Sequence, residues 1–405
     1  MDSLTQIILG AAMGEVVLGK KIGNRALIWG GIGGTIPDLD VLANLFMDPI
    51  DALAFHRSIT HSIIFSAFAS FIFAWLVHKS YDRKIYKTWP YKIAIALLNA
   101  IILISLTWGI NYLFMDEGRI RWWLLITTSL ISLYLLWRLY EYYLRKDLEE
   151  FKVSFREWYL LFFLALATHW VLDCFTAYGT QIFQPFSDYR AAFNNIAVAD
   201  PAYTFPFLVC VIIVACLKRG TRKRAFFNWL GIGISSLYMV LTIFNKLHVD
   251  DVFDKALRHR QIEVSRCHCS PTILNNILWT CVAEGEDEYY VGQYSLFDSN
   301  PNLHYLNEIT KNDSIHQALL PNKDYQTLWW FSNGYLAAFP TDSILYLCDV
   351  RFGGMSDTIK GPEDLIFNFK VREVNGVLQF EDTGPPRSGE FSEQFRKFFK
   401  RIKGY

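Results

Sequence analysis

The chain has 405 residues, of which 52% are hydrophobic, 16% aromatic and only 19% charged, and its mean hydropathy is +0.18. That balance excludes a disordered, collagen-like or coiled-coil protein, and seven cysteines over this length exclude a disulfide scaffold. The 39 basic residues are matched by 39 acidic ones, so there is no global electrostatic footprint for nucleic acid and no such partner is expected.

Taken in chain order, apolar runs near the roughly 17 to 25 residues that cross about 30 Å of hydrocarbon occur at 3–18, 26–46, 59–77, 93–114, 122–137, 157–175, 203–217 and 226–247. The expected fold is mainly α: a polytopic transmembrane helix bundle over residues 1–247, with about eight hydrophobic segments and six to eight spans. The lower counts apply if the two glycine-rich N-terminal segments form a re-entrant pair; the repeated Gly10, Gly14, Gly19, Gly30, Gly31, Gly33 and Gly34 equally suit close helix packing. Met1-Asp2 supplies no basic leader and no small-residue cleavage site follows, so the first run reads as a retained span. Glu15, within it, reads as a helix-packing or snorkelling carboxylate.

Lys and Arg crowd the loops at 20–25, 79–92, 138–156 and 218–224, whereas the alternate loops hold only Arg57, Arg119, Arg121 and Arg190. Basic residues accumulate on the cytoplasmic side. Eight spans therefore place the N-terminus, the 38–58 and 176–202 loops and everything after residue 247 outside the cytoplasm. The expectation is a multi-pass protein of a bacterial-type inner (plasma) membrane, in contact with membrane lipids.

Residues 248–405 differ in composition. A charged, mildly amphipathic run is followed by short alternating segments, EYYVGQYSLF, YQTLWWF, YLAAF, SILYLCDV, LIFNFKVREV and VLQFED, separated by turn signals. They predict an extracytoplasmic α+β or mainly β domain of unknown role with one or two helices. Cys267-His268-Cys269 has the look of a metal knuckle but lacks a second pair at ligand spacing, which favours structural or free cysteines. Cys267, Cys269, Cys281 and Cys348 are alternatively disulfide partners.

Ionisable groups at membrane depth are costly and therefore informative. Asp38 and Asp40 lie in Gly34-Thr35-Ile36-Pro37-Asp38-Leu39-Asp40, where Pro37 breaks or kinks the helix. His56 and His61 flank Arg57 at the start of the third segment, and His169 and Asp173, four apart, share one helix face. Each cluster alone has an ordinary reading as a cap, an interfacial imidazole or a chance spacing. Their assignment to one end of the bundle does not. Three imidazoles and three carboxylates form a ligand set for a divalent metal, Zn²⁺ first and Mn²⁺ second.

The expected metal ligands are Asp38, Asp40, His56, His61, His169 and Asp173. Asp40 is also the candidate base, and Arg57 the group that neutralises a phosphoryl charge. Arg57 and Arg190 are the only positive charges placed to bind such a substrate.

The opening Met1-Asp2-Ser3-Leu4-Thr5-Gln6, the Pro37-Asp38-Leu39-Asp40 element, His56-Arg57-x-x-Thr60-His61-Ser62, and His169-x-x-x-Asp173 followed by Thr176-x-x-Gly179-Thr180 resemble the YdjM-type family of membrane-bound, metal-dependent hydrolases over roughly residues 1–245. The resemblance implies hydrolysis. By analogy it points to zinc-dependent phospholipase C and single-strand nucleases, whose H-x-x-x-D helices bind a metal cluster that cleaves phosphoesters. Many family members carry His after the Thr of the opening motif. Gln6 here removes one ligand and is left to bind or orient a water or substrate.

A site at the outer leaflet favours a lipid-type or other phosphoester substrate. The competing reading is a non-enzymatic metal-binding, sensing or transport protein whose outer domain binds a partner. Clustering at one face and the lack of an inverted repeat weigh against transport.

Overall fold

The computed structural model describes all residues except 114, 116–118, 146–148, 301–302, 304, 342–343, 355–356, 375, 384–387 and 405. Phe114 at the end of the fourth apolar run, Lys146 of the basic loops and the turn residues Asp342, Ser343 and Asn375 lie outside the described residues. In chain order the helices are α1 (Ser3–Ile22), α2 (Asn24–Thr35), α3 (Pro49–Phe55), α4 (Ile63–Asp82), α5 (Trp89–Leu113), α6 (Trp122–Leu139), α7 (Phe155–Asp173), α8 (Pro201–Cys216) and α9 (Arg222–His259). The chain divides into two compact units, one of Met1–Ser70 with Leu160–Tyr405 and one of Phe71–Tyr159.

In the larger unit α1 and α2 pack almost backbone to backbone. A Cβ at Gly10 would collide with the carbonyl oxygen of Gly30, one at Gly14 with that of Ala26, and one at Gly34 with that of Gln6. Only glycine at these positions allows so close a crossing. At the other end of α1, Glu15 is a buried partner of Arg224 on α9, with Arg224 Nε 2.7 Å from Oε1 and Nη2 2.6 Å from Oε2. Arg224 Nη1 also donates to Asn24 Oδ1 and to the carbonyls of Val214 and Leu217, which fastens α1, α2, α8 and α9 together.

The run 26–46 is not one helix. Pro37 cannot continue the hydrogen-bond ladder of α2, and the chain tightens into a 3₁₀ segment over Pro37–Leu45. Among the described residues four helices have the length and composition to cross a membrane, namely α4, α5, α6 and α9, and α8 is a shorter apolar helix. The other apolar runs are interrupted or carry the polar groups described below.

α9 is 38 residues long, about 57 Å at helical rise, and continues into the C-terminal domain. There Val249, Val252, Phe253, Ala256 and Leu257 bury against Trp279, Cys281 and Tyr294. The domain holds two four-stranded antiparallel sheets, β1 (Arg266–Pro271), β2 (Leu278–Glu284), β3 (Glu288–Ser295) and β4 (Leu306–Thr310), then β5 (Leu336–Pro340), β6 (Leu345–Gly354), β7 (Leu365–Val374) and β8 (Val377–Asp382), each in sequential order.

Val282, Tyr289 and Val291 of the first sheet pack on Tyr335, Ala337, Cys348 and Val350 of the second region. Between the sheets lie α10 (Asp313–Leu319) and α11 (Lys323–Phe331), and α12 (Ser388–Ile402) follows β8. The segment YQTLWWF, whose alternation suggests a strand, is the body of α11. The Asn322 side chain caps it by accepting from Tyr325 N, and Tyr325, Leu328 and Phe331 fall on one buried helical face. Cys269 and Cys281, opposite one another on β1 and β2, form a disulfide, while Cys267 and Cys348 are free.

In the smaller unit α5 and α6 are joined by Thr107 Oγ1 to Ser132 Oγ (2.8 Å) and Asn111 Nδ2 to Thr128 Oγ1 (3.0 Å). Their outer faces expose Leu97, Ile101, Trp108 and Leu130, a surface suited to lipid rather than water.

Candidate metal centre

The 3₁₀ segment after Pro37 brings Asp38 to the end of α7, and a single 3₁₀ turn over Ile59–His61 brings His61. The last turn of α7 presents His169 and Asp173 side by side. One ligand atom from each of Asp38, His61, His169 and Asp173 can be chosen so that all four lie within 4.8 Å of one another. His61, His169 and Asp173 are buried, and the Asp38 side chain is 12% exposed.

Hydrogen bonds on the far sides of the rings decide what the near sides offer. His169 Nδ1 lies 2.6 Å from the carbonyl oxygen of Gly34. A carbonyl only accepts, so Nδ1 carries the proton and Nε2 presents a lone pair. That lone pair faces His61 Nε2 at 3.1 Å, Asp38 Oδ1 at 3.4 Å and Asp173 Oδ2 at 3.4 Å. His61 Nδ1 has Thr60 Oγ1 at 3.1 Å and Asp40 Oδ2 at 3.4 Å behind it, which likewise turns its Nε2 towards Asp38 and Asp173.

Asp173 Oδ2 is buried without a hydrogen-bond partner, as is Arg57 Nε, 3.6 Å away. Two imidazole nitrogens and the oxygens of two carboxylates, with Asp173 Oδ2 making no hydrogen bond, turn their donor atoms into one small space beside the Arg57 guanidinium. The donor set therefore fits a divalent ion held by nitrogen and oxygen.

Asp40 stands one step behind. Its Oδ1 accepts from His56 Nδ1 at 2.9 Å, and its Oδ2 from the Arg57 backbone N–H at 2.9 Å and Thr60 Oγ1 at 3.3 Å. Asp40 is buried, while the His56 side chain is 27% exposed. Arg57 adopts a left-handed backbone, φ +59°, which residues with a Cβ seldom take. The Asp40 carboxylate and the Gln181 N–H, which donates to the Arg57 carbonyl at 3.0 Å, hold it there. Its Nη1 donates to Thr176 Oγ1 at 2.7 Å and its guanidinium lies 4.9 Å from the centre of the Tyr178 ring. Gln6 Nε2 donates to Asp173 Oδ1 (3.0 Å) and to the His169 carbonyl (3.2 Å), and the Met1 nitrogen also bonds Asp173 Oδ1.

Of the residues expected from sequence, Asp38, His61, His169 and Asp173 converge, and Asp40, His56, Arg57 and Gln6 surround them. Arg190 stands one ring further out, 5.2 Å from the centre of the Tyr178 ring that Arg57 also faces. Its guanidinium donates to the carbonyls of Phe331 and Tyr178 and stacks near Trp330 and Phe331 of α11. Burial lowers its pKa to about 9, and both Nη groups are engaged by the protein.

Sequence reasoning missed the Gly34 carbonyl, which has no side-chain signal. It also missed the clamping role of Thr176, although Thr176 stands in a motif already noted. Cys267, His268 and Cys269 do not converge, because successive strand residues point to opposite faces and Cys269 is disulfide-bonded. A cavity of about 540 Å³ adjoins the 55–58 turn and is lined by Phe55, Ser58, Gln181, Asp188, Lys323 and Trp330 among others.

Residues 1–249 match the family model described as YdjM inner membrane protein. No curated protein and no solved structure matches the chain.

Proposed function

The chain belongs to the YdjM inner membrane protein family, and from that premise we propose that it is a multi-pass, metal-dependent hydrolase of phosphoester or lipid-type substrates, working at the extracytoplasmic membrane face. The observation that carries this reading is the convergence of two tautomer-fixed imidazoles on Asp38 and the orphaned Asp173 Oδ2. Asp38, His61, His169 and Asp173 would hold the ion, with Zn²⁺ the first choice and Mn²⁺ the second. A bound divalent ion supplies Lewis acidity and a water of lowered pKa.

The protein's own groups do the rest. Asp40, which accepts from His56 Nδ1 and the Arg57 backbone N–H and stands behind His61 Nδ1, acts through the two imidazoles it orients. His56, fixed at Nδ1 by Asp40 and partly exposed, is the group that accepts a proton from the attacking water and returns it to the leaving oxygen. Arg57, clamped by Thr176, neutralises charge on the phosphoryl group. Gln6 holds Asp173 Oδ1.

Two features support the outward orientation. Basic residues crowd the opposite loops, and the Cys269–Cys281 disulfide suits an oxidising compartment. Exposed Cys216 and Cys267 lie on either side of the α9 span and report on it. An impermeant maleimide applied to intact spheroplasts should label Cys267 and spare Cys216; the reverse pattern would invert the topology.

The decisive test is elemental analysis of detergent-purified protein beside His61→Ala/Asp173→Ala, followed by hydrolysis assays on phospholipids and lipid-linked phosphates. Stoichiometric metal lost in the variant, with metal-dependent turnover by the wild type, is expected. Trace metal equal in both would sink the mechanism, and stoichiometric metal without hydrolysis would leave a metal-binding membrane protein.

A further inference from the structure

The basic end of α12 takes no part in the site. From Phe395 to Lys403 it reads Phe-Arg-Lys-Phe-Phe-Lys-Arg-Ile-Lys. Two residues anchor it to the C-terminal domain: Phe398, which is buried, and Arg401, also buried, with Nη1 2.7 Å from Asp298 Oδ1 and Nε 2.8 Å from Asp357 Oδ1. What faces outward is Phe399, 47% exposed, with Arg396, Lys400 and Lys403 exposed beside it.

A chain of hydrogen bonds fixes the height of this end relative to the helices. The Ile402 carbonyl accepts from Ser295 Oγ (2.7 Å) at the end of β3, and the next residue, Leu296, donates to the Ile277 carbonyl (2.9 Å). Adjacent Asn276 donates to the Asn195 carbonyl (2.8 Å) and accepts from Asn245 Nδ2 of α9 (2.8 Å), while Leu274 N donates to the Ala199 carbonyl just before α8 (3.0 Å). Asn245 lies about 35 Å along α9 from Arg222, close to the thickness of a hydrocarbon core, about 30 Å. The tail of α12 is therefore tied to the strand end that meets α9 and α8 at one limit of their apolar stretches. Two large apolar side chains on the same strand end are exposed as well, Phe297 at 60% and Ile273 at 48%.

We propose that this end of the C-terminal domain is a membrane-surface foot: Phe399, Phe297 and Ile273 enter the headgroup region while Arg396, Lys400 and Lys403 bind the phosphates of anionic phospholipids in the leaflet next to the metal centre. Aromatic and aliphatic side chains mixed with exposed cations at this depth are the composition of interfacial anchors. Among the described residues the acids at this end, Asp298 and Asp357, are both engaged by Arg401. The foot would hold the domain down on the bilayer, whatever chemistry the site performs.

The test is hydrogen exchange of the full chain in nanodiscs of phosphatidylcholine alone and of phosphatidylcholine with about one third phosphatidylglycerol. One cation near an anionic surface is worth about a fivefold factor. Exchange over residues 395–404 is expected to slow by at least about fivefold in the anionic discs, to recover in Lys400→Gln/Lys403→Gln, and to recover at high salt. Unchanged exchange over β2 and β3 identifies a folded variant; should it change, Lys403→Gln alone, beyond the last helical turn, replaces the pair. Equal exchange in the two discs, or slowing that the lysine variants retain, overturns the proposal.

Discussion

Asp40→Asn decides between Asp40 as a group that orients ligands and Asp40 as a ligand itself. In the wild type the Asp40 carboxylate accepts from His56 Nδ1 and the Arg57 backbone N–H, both at 2.9 Å, and stands 3.4 Å from His61 Nδ1. An amide of the same shape offers one acceptor oxygen where the carboxylate offers two. At least one of these donors then faces an NH₂ group, and the proton on His61 Nδ1 loses its anionic neighbour.

Loss of such an orienting carboxylate typically weakens metal binding about 10- to 100-fold, equivalent to about 1.4 to 2.7 kcal/mol. Removing a ligand, as in Asp173→Asn, should abolish stoichiometric binding, because Asp173 Oδ2 is one of the converging atoms. Competitive titration of detergent-purified apoprotein against a chromophoric chelator measures both variants on one scale. A wild-type affinity for Asp40→Asn would refute the orienting role, and a loss as complete as that of Asp173→Asn would make Asp40 a ligand.

Three further outcomes follow from the same contacts. Arg224→Met leaves Glu15 buried without its partner and should cost about 3 to 5 kcal/mol, seen as a lower unfolding midpoint in detergent, whereas Glu15→Gln/Arg224→Met should recover part of the loss. Gly34→Ala sets a Cβ against the Gln6 carbonyl and should destabilise the α1–α2 crossing by about 1 to 3 kcal/mol. Because the Gly34 carbonyl orients His169, it should also weaken metal binding, an effect that Gly14→Ala on the same seam should not share. In the C-terminal domain burial acts to raise the Glu284 carboxyl, but Arg266 and Lys311 outweigh it and hold it below the usual value of 4.5. The group is depressed on folding, so its stabilisation is present above pH 4.5 and fades as the pH falls further. Acid titration of wild type against Glu284→Gln, followed by tryptophan fluorescence, should show a shallower decline for the variant; identical curves would remove Glu284 from the account.

Much of the site was legible because its parts are local. The four-residue spacing of His169 and Asp173 is one helical turn, and His56, Arg57 and His61 share a single short stretch. Asp38 and Asp40 show where legibility stops. Two residues apart after Pro37, they look equivalent in sequence, yet the 3₁₀ segment directs Asp38 into the converging set and Asp40 to the backs of two imidazoles. Arg190 stood out as a rare cation on a sparse loop, but its partners are carbonyls at Tyr178 and, far along the chain, Phe331. β3, β5, β6, β7 and β8 were readable from alternation, whereas β1, β2 and β4 lie outside the segments that the alternation marked. YQTLWWF was not, because its cap at Asn322 and its buried face at Tyr325, Leu328 and Phe331 outweigh its β-favouring composition.

The long-range contacts also bear on how the C-terminal domain relates to the metal centre. Ile50 of α3 is buried in the hydrophobic cluster of the second sheet and α11, with Leu319, Leu328 and Phe369. Seven residues later in the same segment, Arg57 lies 3.6 Å from Asp173 Oδ2 and against the Tyr178 ring, and Arg190, on that ring too, reaches the Phe331 carbonyl at the end of α11. The segment carrying His56 and Arg57 is thus gripped from both sides, by Asp40 and by the C-terminal domain. A left-handed Arg57 backbone persists only where its surroundings over-determine it. The domain supplies part of that constraint, which makes it a structural component of the site's outer wall and not a module merely strung from the end of α9.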